Sequence, residues 1–234
     1  MLSENLTDIH NRIAAAAGRA NRSPDDITLV AVSKQVSLEK VVAAIALGHH
    51  IFGENYVQES QEKIPAIRRA RPHDALSFHF IGKLQTNKAP KAAELFDVIQ
   101  TIDSVKLANT LEKHLKSRHK PLTGYIQVNI GGEKQKSGIL PEDCELFLAE
   151  LPRYEHLQIK GLMAIPPYFA DPEKVRPFFR QLRELSEHLA AKGLLGAQGP
   201  VELSMGMSGD FEVAIEEGAT VVRIGTALFG QRLR

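Results

Sequence analysis

The sequence predicts a single α/β domain over residues 1–234, a TIM-type (β/α)8 barrel with an extra helix at its N-terminus. Three observations predict it. Short, β-branched, nearly continuous apolar runs alternate with amphipathic stretches of helical period, and no two runs are joined by a hairpin turn. The length, 234 residues, also suits one barrel, a fold that commonly takes about 250 residues. Strict alternation without hairpins makes the strands parallel, and eight of them close into a ring. The alternative, an open doubly wound sheet, would carry a Gly-x-Gly-x-x-Gly turn after the first strand. Ser33-Lys34-Gln35-Val36 stands there instead.

In chain order, residues 4–20 form the extra amphipathic helix, and residues 27–34 give the first strand, apolar enough to be covered on both faces. Residues 37–47 follow with helical spacing, Ser37 placed to cap the start and Gly48 to stop the end. Strands at 50–53, 77–82 and 98–103 alternate with helices at 57–70, 88–95 and 104–118. The second half repeats the pattern with strands at 123–130, 159–165, 201–204 and 220–224 and helices at 142–151, 173–192 and 211–217, leaving a short tail.

Hydrophobic residues make up 43% of the chain and charged residues 24%, the balance of a globular protein with a sizeable core. Twenty-nine Lys and Arg face twenty-eight Asp and Glu, so no basic field points to nucleic acid or a membrane surface, and a small ligand is expected. The lone cysteine, Cys144, falls in an apolar-periodic stretch and reads as a buried helical thiol. Glu4, Asp8 and His10 interrupt the N-terminal residues, which therefore lack the apolar core of a secretory signal, and no segment reaches the roughly 20 apolar residues of a membrane span. We expect a cytoplasmic protein. His49-His50 and the other histidines lack ligand spacing, so no metal site is expected.

Active sites of this fold lie at the C-terminal ends of the strands. Side chains alternate along a strand, so Thr28, Val30, Val32 and Lys34 share one face. If that face lines the interior, Lys34 stands at the mouth, where desolvation favours the neutral amine that attacks aldehydes. Read alone, Lys34 could equally reach outward into solvent. Ser204-Met-Gly-Met-Ser208-Gly209 and Arg223-Ile-Gly225-Thr226 follow strands seven and eight, where phosphate sites of this fold form, and bring hydroxyls and turn amides. Ordinary capping and turn roles are the alternative reading. Asp210 would repel an anion, so we expect it to point away. Arg223 has the parity of Val221 and should face the mouth across the closure from Lys34; there it serves either a structural ion pair or a ligand. Opposite a cofactor ring nitrogen, its permanent cation would keep that nitrogen unprotonated.

Val30-Ala-Val-Ser-Lys34, Gly53-Glu-Asn-Tyr56, His79-Phe-Ile-Gly-Lys-Leu-Gln-Thr-Asn-Lys88, Lys136-Ser-Gly138, Gly161-Leu-Met163, Leu203-Ser-Met-Gly-Met-Ser208 and Val222-Arg-Ile-Gly-Thr226 together resemble the pyridoxal phosphate homeostasis protein family, also called the YggS or PROSC family. The resemblance spans nearly the whole chain; Gly131-Gly132 ahead of Glu133 is a local departure in the loop after strand five. It implies a barrel related to the N-terminal domain of alanine racemase that binds pyridoxal 5′-phosphate (PLP) and acts in intracellular vitamin B6 supply. By that resemblance Lys34 carries PLP as a Schiff base, Ser208, Gly225 and Thr226 hold its phosphate, Arg223 faces its pyridine nitrogen, and Asn55, His79, Met163, Ser204 and Met205 line the pocket. PLP-dependent apoenzymes are the partners it suggests as recipients.

Racemisation needs an acid or base on each face of the substrate, and in alanine racemases a tyrosine from a second, β-rich domain supplies one. Strand eight is followed here only by a tail, and Tyr56, Tyr125, Tyr154 and Tyr168 match no such position. We therefore expect a non-enzymatic, monomeric PLP carrier, with a racemase-like PLP enzyme and a PLP-free Schiff-base aldolase as the competing readings. Lys134 and Lys136 in the loop after strand five read as a solvated charged pair, or, for Lys136, as an amine that takes PLP over from Lys34.

Overall fold

Valine, isoleucine and phenylalanine fill the short strands, and the helices between them turn one apolar face inward. The computed structural model describes residues 1–118, 121–151, 154–197 and 199–231. Its elements are α1 (Leu2–Arg19), β1 (Thr28–Val32), α2 (Leu38–Ala46), β2 (Ile51–Glu54), α3 (Val57–Ala70), β3 (Ser77–Phe80), α4 (Ala89–Leu95), β4 (Val98–Ile102) and α5 (Val105–Arg118). They continue with β5 (Leu122–Val128), α6 (Cys144–Glu150), β6 (Leu157–Ala164), α7 (Arg176–Ala191), β7 (Glu202–Ser204), α8 (Phe211–Glu216), β8 (Val221–Ile224) and α9 (Thr226–Phe229). The eight strands pair in sequence order, all parallel, and β8 closes on β1 with Val30 opposite Arg223. The predicted barrel is the observed one.

Strand parity sorts the core into two regions. Leu29, Ala31, Phe52, Phe78, Phe80, Leu162, Val222 and Ile224 face outward and pack with the helices into the main core. Val30, Tyr125, Met163 and Val221 face inward and form an apolar plug inside the ring, the layered filling expected of a barrel interior. The extra helix α1 lies against α8 and α9, with Asn5 Nδ2 donating to the Leu228 carbonyl at 2.9 Å and Arg12 donating to both carboxylate oxygens of Glu212. The short tail after strand eight contains α9, four residues too few to show a period in sequence.

Cys144 is fully buried, its thiol donating to the Leu140 carbonyl at 3.3 Å, and burial pushes its pKa up to about 12. Thiol-specific reagents should therefore label Cys144 only on unfolding, and the labelling rate of native protein under increasing urea measures this. No helix among the described residues is long and apolar enough to cross a membrane.

Candidate functional site

At the C-terminal mouth, β1 ends at Val32 and the chain turns through Ser33, Lys34 and Gln35, leaving Lys34 half-buried just beyond the strand. This turn is tied down on both sides of the lysine. Ser33 N–H donates to the Gly53 carbonyl at 2.9 Å, its hydroxyl donates to Glu54 Oε1 at 2.7 Å, and its carbonyl accepts from Lys63 Nζ at 2.5 Å. Gln35, in the left-handed region at φ 56°, donates its backbone N–H to Glu59 Oε1 at 2.8 Å. Lys63 completes the frame, 2.9 Å from Glu54 Oε1 and 3.0 Å from Glu59 Oε1. Glu54 is wholly buried; loss of solvent raises its pKa, opposed by Lys63 and the Ser33 hydroxyl, and its Oε2 has no hydrogen-bond partner. Sequence reasoning missed Lys63, whose only signal is the i,i+4 pair Glu59–Lys63 on α3.

Across the barrel closure, the turn after β7 and the start of α9 meet at one hydroxyl. Ser208 Oγ accepts from Gly225 N–H at 3.3 Å, from Ala227 N–H at 3.4 Å and from the Thr226 hydroxyl at 3.4 Å. Gly206 holds φ 92° there, and a Cβ on it would lie 2.6 Å from Ala214 Cβ, so only glycine fits. Asp210 is folded back into the turn, Oδ1 accepting from Met207 N–H at 2.6 Å.

Arg223 points into the barrel, as its parity requires, and is 3% exposed. Its guanidinium donates to Ser204 Oγ at 2.5 Å and to the Ala164 carbonyl at 2.8 Å. Burial lowers its pKa to about 10, with the nearby Asp210 carboxylate pulling the other way, so it stays charged at neutral pH.

At the C-terminal ends of β2 to β6 opens a cavity of about 230 Å³ whose lining includes Asn55, Gly82, Thr101, Gln127, Lys136 and Ser137, and does not include Lys34, Ser208 or Arg223. Asn55 Oδ1 is buried without a partner. Gly82 lets the chain pass Asn55 closely, since a Cβ would sit 2.2 Å from the Asn55 carbonyl oxygen. Lys136 reaches across the rim, ion-paired with Glu133 and donating to the Pro166 carbonyl at 2.9 Å.

Met163, Met205 and His79, like Lys34, Ser208 and Arg223, do not line that cavity. Met163 belongs to the apolar plug beneath the mouth. Met205 follows inward-facing Ser204, so alternation sends its side chain into the outer core, leaving only its backbone toward the mouth. His79 lies lower in the interior, bordering a second cavity of about 220 Å³ that Thr28, Thr123, Tyr125 and Glu202 also line. Barrel strands are staggered, so equal distance from a strand's end does not mean equal height.

The sequence profile described as the N-terminal domain of alanine racemase matches residues 5–233. The pyridoxal phosphate homeostasis protein of Vibrio cholerae is 43% identical over 232 residues, covering 99% of this chain and 96% of that protein. The chain belongs to the pyridoxal phosphate homeostasis protein family. The Escherichia coli member of that family is 44% identical over 235 residues, with 99% of this chain and 97% of that protein covered. Among solved structures, PipY of Synechococcus elongatus with PLP bound matches with a TM-score of 0.84 at 33% identity, covering 98% of this chain and all of that one. An alanine racemase of Clostridium difficile matches with a TM-score of 0.71 at 16% identity, over 99% of this chain and 58% of the racemase. That likeness is one of fold.

Proposed function

We propose that this protein binds PLP at the C-terminal mouth of its barrel, tethered to Lys34, and holds it in the cytoplasm for PLP-dependent apoenzymes without turning over an amino acid. The whole chain, residues 1–234, would act as one PLP-binding domain and as a monomer. The observation that carries this reading is the convergence of Gly225 N–H, Ala227 N–H and the Thr226 hydroxyl on Ser208 Oγ, just beyond the ends of β7 and β8, the latter paired with the strand that leads to Lys34.

When bound, PLP supplies an aldehyde for a lysine amine and a ring that draws electrons. The residues fit that group. The donors around Ser208 make bonds of only 3.3 to 3.4 Å, and phosphate oxygens would offer them shorter, charge-assisted ones. Asp210, held by the Met207 amide, is not one of those donors. Arg223, unable to accept a proton, would face the ring nitrogen and oppose its protonation, which weakens the ring as an electron sink and disfavours proton removal from an amino acid. The orphaned Asn55 Oδ1 offers an acceptor to a donor on the ligand. Ser204 would support the pocket from beneath through Arg223.

Ser208→Ala should weaken PLP binding about tenfold, ~1.4 kcal/mol, as read by fluorescence titration. The carrier reading itself is tested by incubating the PLP-loaded protein with a panel of amino acids and following both absorbance and product. Bound cofactor with no product beyond one equivalent is expected; sustained turnover of any amino acid would make the protein an enzyme.

A further inference from the structure

Below Arg223, four side chains from four strands join into one hydrogen-bonded line across the barrel interior. Arg223 Nη1 donates to Ser204 Oγ at 2.5 Å, Ser204 Oγ donates to Gln100 Oε1 at 2.7 Å, and Gln100 Nε2 meets His79 Nδ1 at 2.8 Å. Gln100 and Ser204 are fully buried, and His79 and Arg223 nearly so.

The direction of each bond follows from the charge at one end. A guanidinium only donates, so Ser204 accepts from Arg223 and spends its single proton on the next acceptor, Gln100 Oε1. The Gln100 amide then presents its nitrogen to His79, whose Nδ1 must accept. The His79 proton is thereby confined to Nε2. Turning the amide round would aim two donors at the Ser204 hydroxyl and leave that hydroxyl's own proton without this acceptor. Burial agrees with a neutral ring, lowering the His79 pKa to about 4.

We propose that Gln100 and His79 are positioning residues for Arg223, holding its guanidinium at the floor of the mouth through a one-way line of hydrogen bonds that ends on the His79 Nε2–H tautomer. This rests on the reading above, in which Arg223 faces the ring of PLP. Two of the guanidinium's donors are fixed, one by Ser204 and one by the Ala164 carbonyl, and two points set its plane. Without Gln100, the Ser204 hydroxyl can turn, and its bond to Arg223 is no longer fixed in direction. The second cavity lies on the far side of His79, so the line spans the interior between the two.

The test has two parts. In PLP-free protein labelled with 15N-histidine, long-range 1H–15N correlations read the tautomer: His79 should show a protonated Nε2 and a bare Nδ1, and Gln100→Leu should lose that fixed pattern. In PLP titrations, Gln100→Leu should bind about tenfold more weakly. His79→Leu should fall by a similar factor, whereas His79→Asn, whose amide oxygen can take the place of Nδ1, should stay within about twofold of wild type. An Nδ1–H tautomer in the wild type would overturn the proposal. So would a folded Gln100→Leu with wild-type affinity. If wild type takes up no PLP, the proposed function falls, and the tautomer alone decides whether the line exists.

Discussion

Lys34→Ala is expected to abolish covalent PLP retention and to weaken total PLP binding by about a hundredfold, or ~3 kcal/mol, because the phosphate and ring contacts remain but the tether does not. Gel filtration of the loaded variant, followed by the absorbance of the protein fraction, measures this. The substituted residue sits in a turn and not in a strand, so the melting temperature should move little, separating loss of the tether from loss of the fold. Retention of PLP by Lys34→Ala at the wild-type level would remove Lys34 from the account.

Lys63→Met should produce the largest loss of stability. It strips the cation from Glu54, which is fully buried and already has one oxygen without a partner, and breaking a buried pair from one side costs about 3–5 kcal/mol. For a chain of this size the melting temperature should fall by about 10 °C. The pH dependence has a definite sign. Burial raises the folded-state pKa of Glu54, and Lys63 opposes that rise. Without Lys63 the folded-state pKa climbs further, so the native state binds a proton that the unfolded state has released. The deficit is therefore full where Glu54 is ionised, above its raised folded-state pKa, and fades as pH falls through the raised value toward the ordinary carboxylate range. Glu54→Gln combined with Lys63→Met should recover most of the loss, because no buried charge is then left. Since Lys63 also holds the Ser33 carbonyl, PLP uptake by the single variant should slow even at temperatures where it is folded. Denaturant melts of the three proteins at several pH values check the series.

Much of this fold is legible residue by residue. Alternation along β1 and β8 correctly sends Val30, Val221 and Arg223 inward and Leu29, Ala31 and Ile224 outward, because strand parity is a local property. The grouping of Ser208, Gly225 and Thr226 was visible for a similar reason, as loops after neighbouring parallel strands share one rim. What the chain hides is height and register. His79 and Asn55 both read as strand-end residues, yet barrel stagger puts one deep in the interior and the other on the mouth cavity. The Ser204–Gln100 bond joins residues 104 apart in sequence, a pairing that only the closed ring defines. Glu54 precedes Asn55 directly, and alternation turns it outward to Lys63 and Ser33, where it supports Lys34 from behind.

The Lys34 tether is tested most directly by loading wild-type protein with PLP, reducing it with borohydride, digesting it and mapping the modified peptide by mass spectrometry. One reduced PLP adduct is expected, on Lys34, in the peptide that follows Val30-Ala-Val-Ser33. An unmodified Lys34, with the adduct on other lysines or on none, would contradict it.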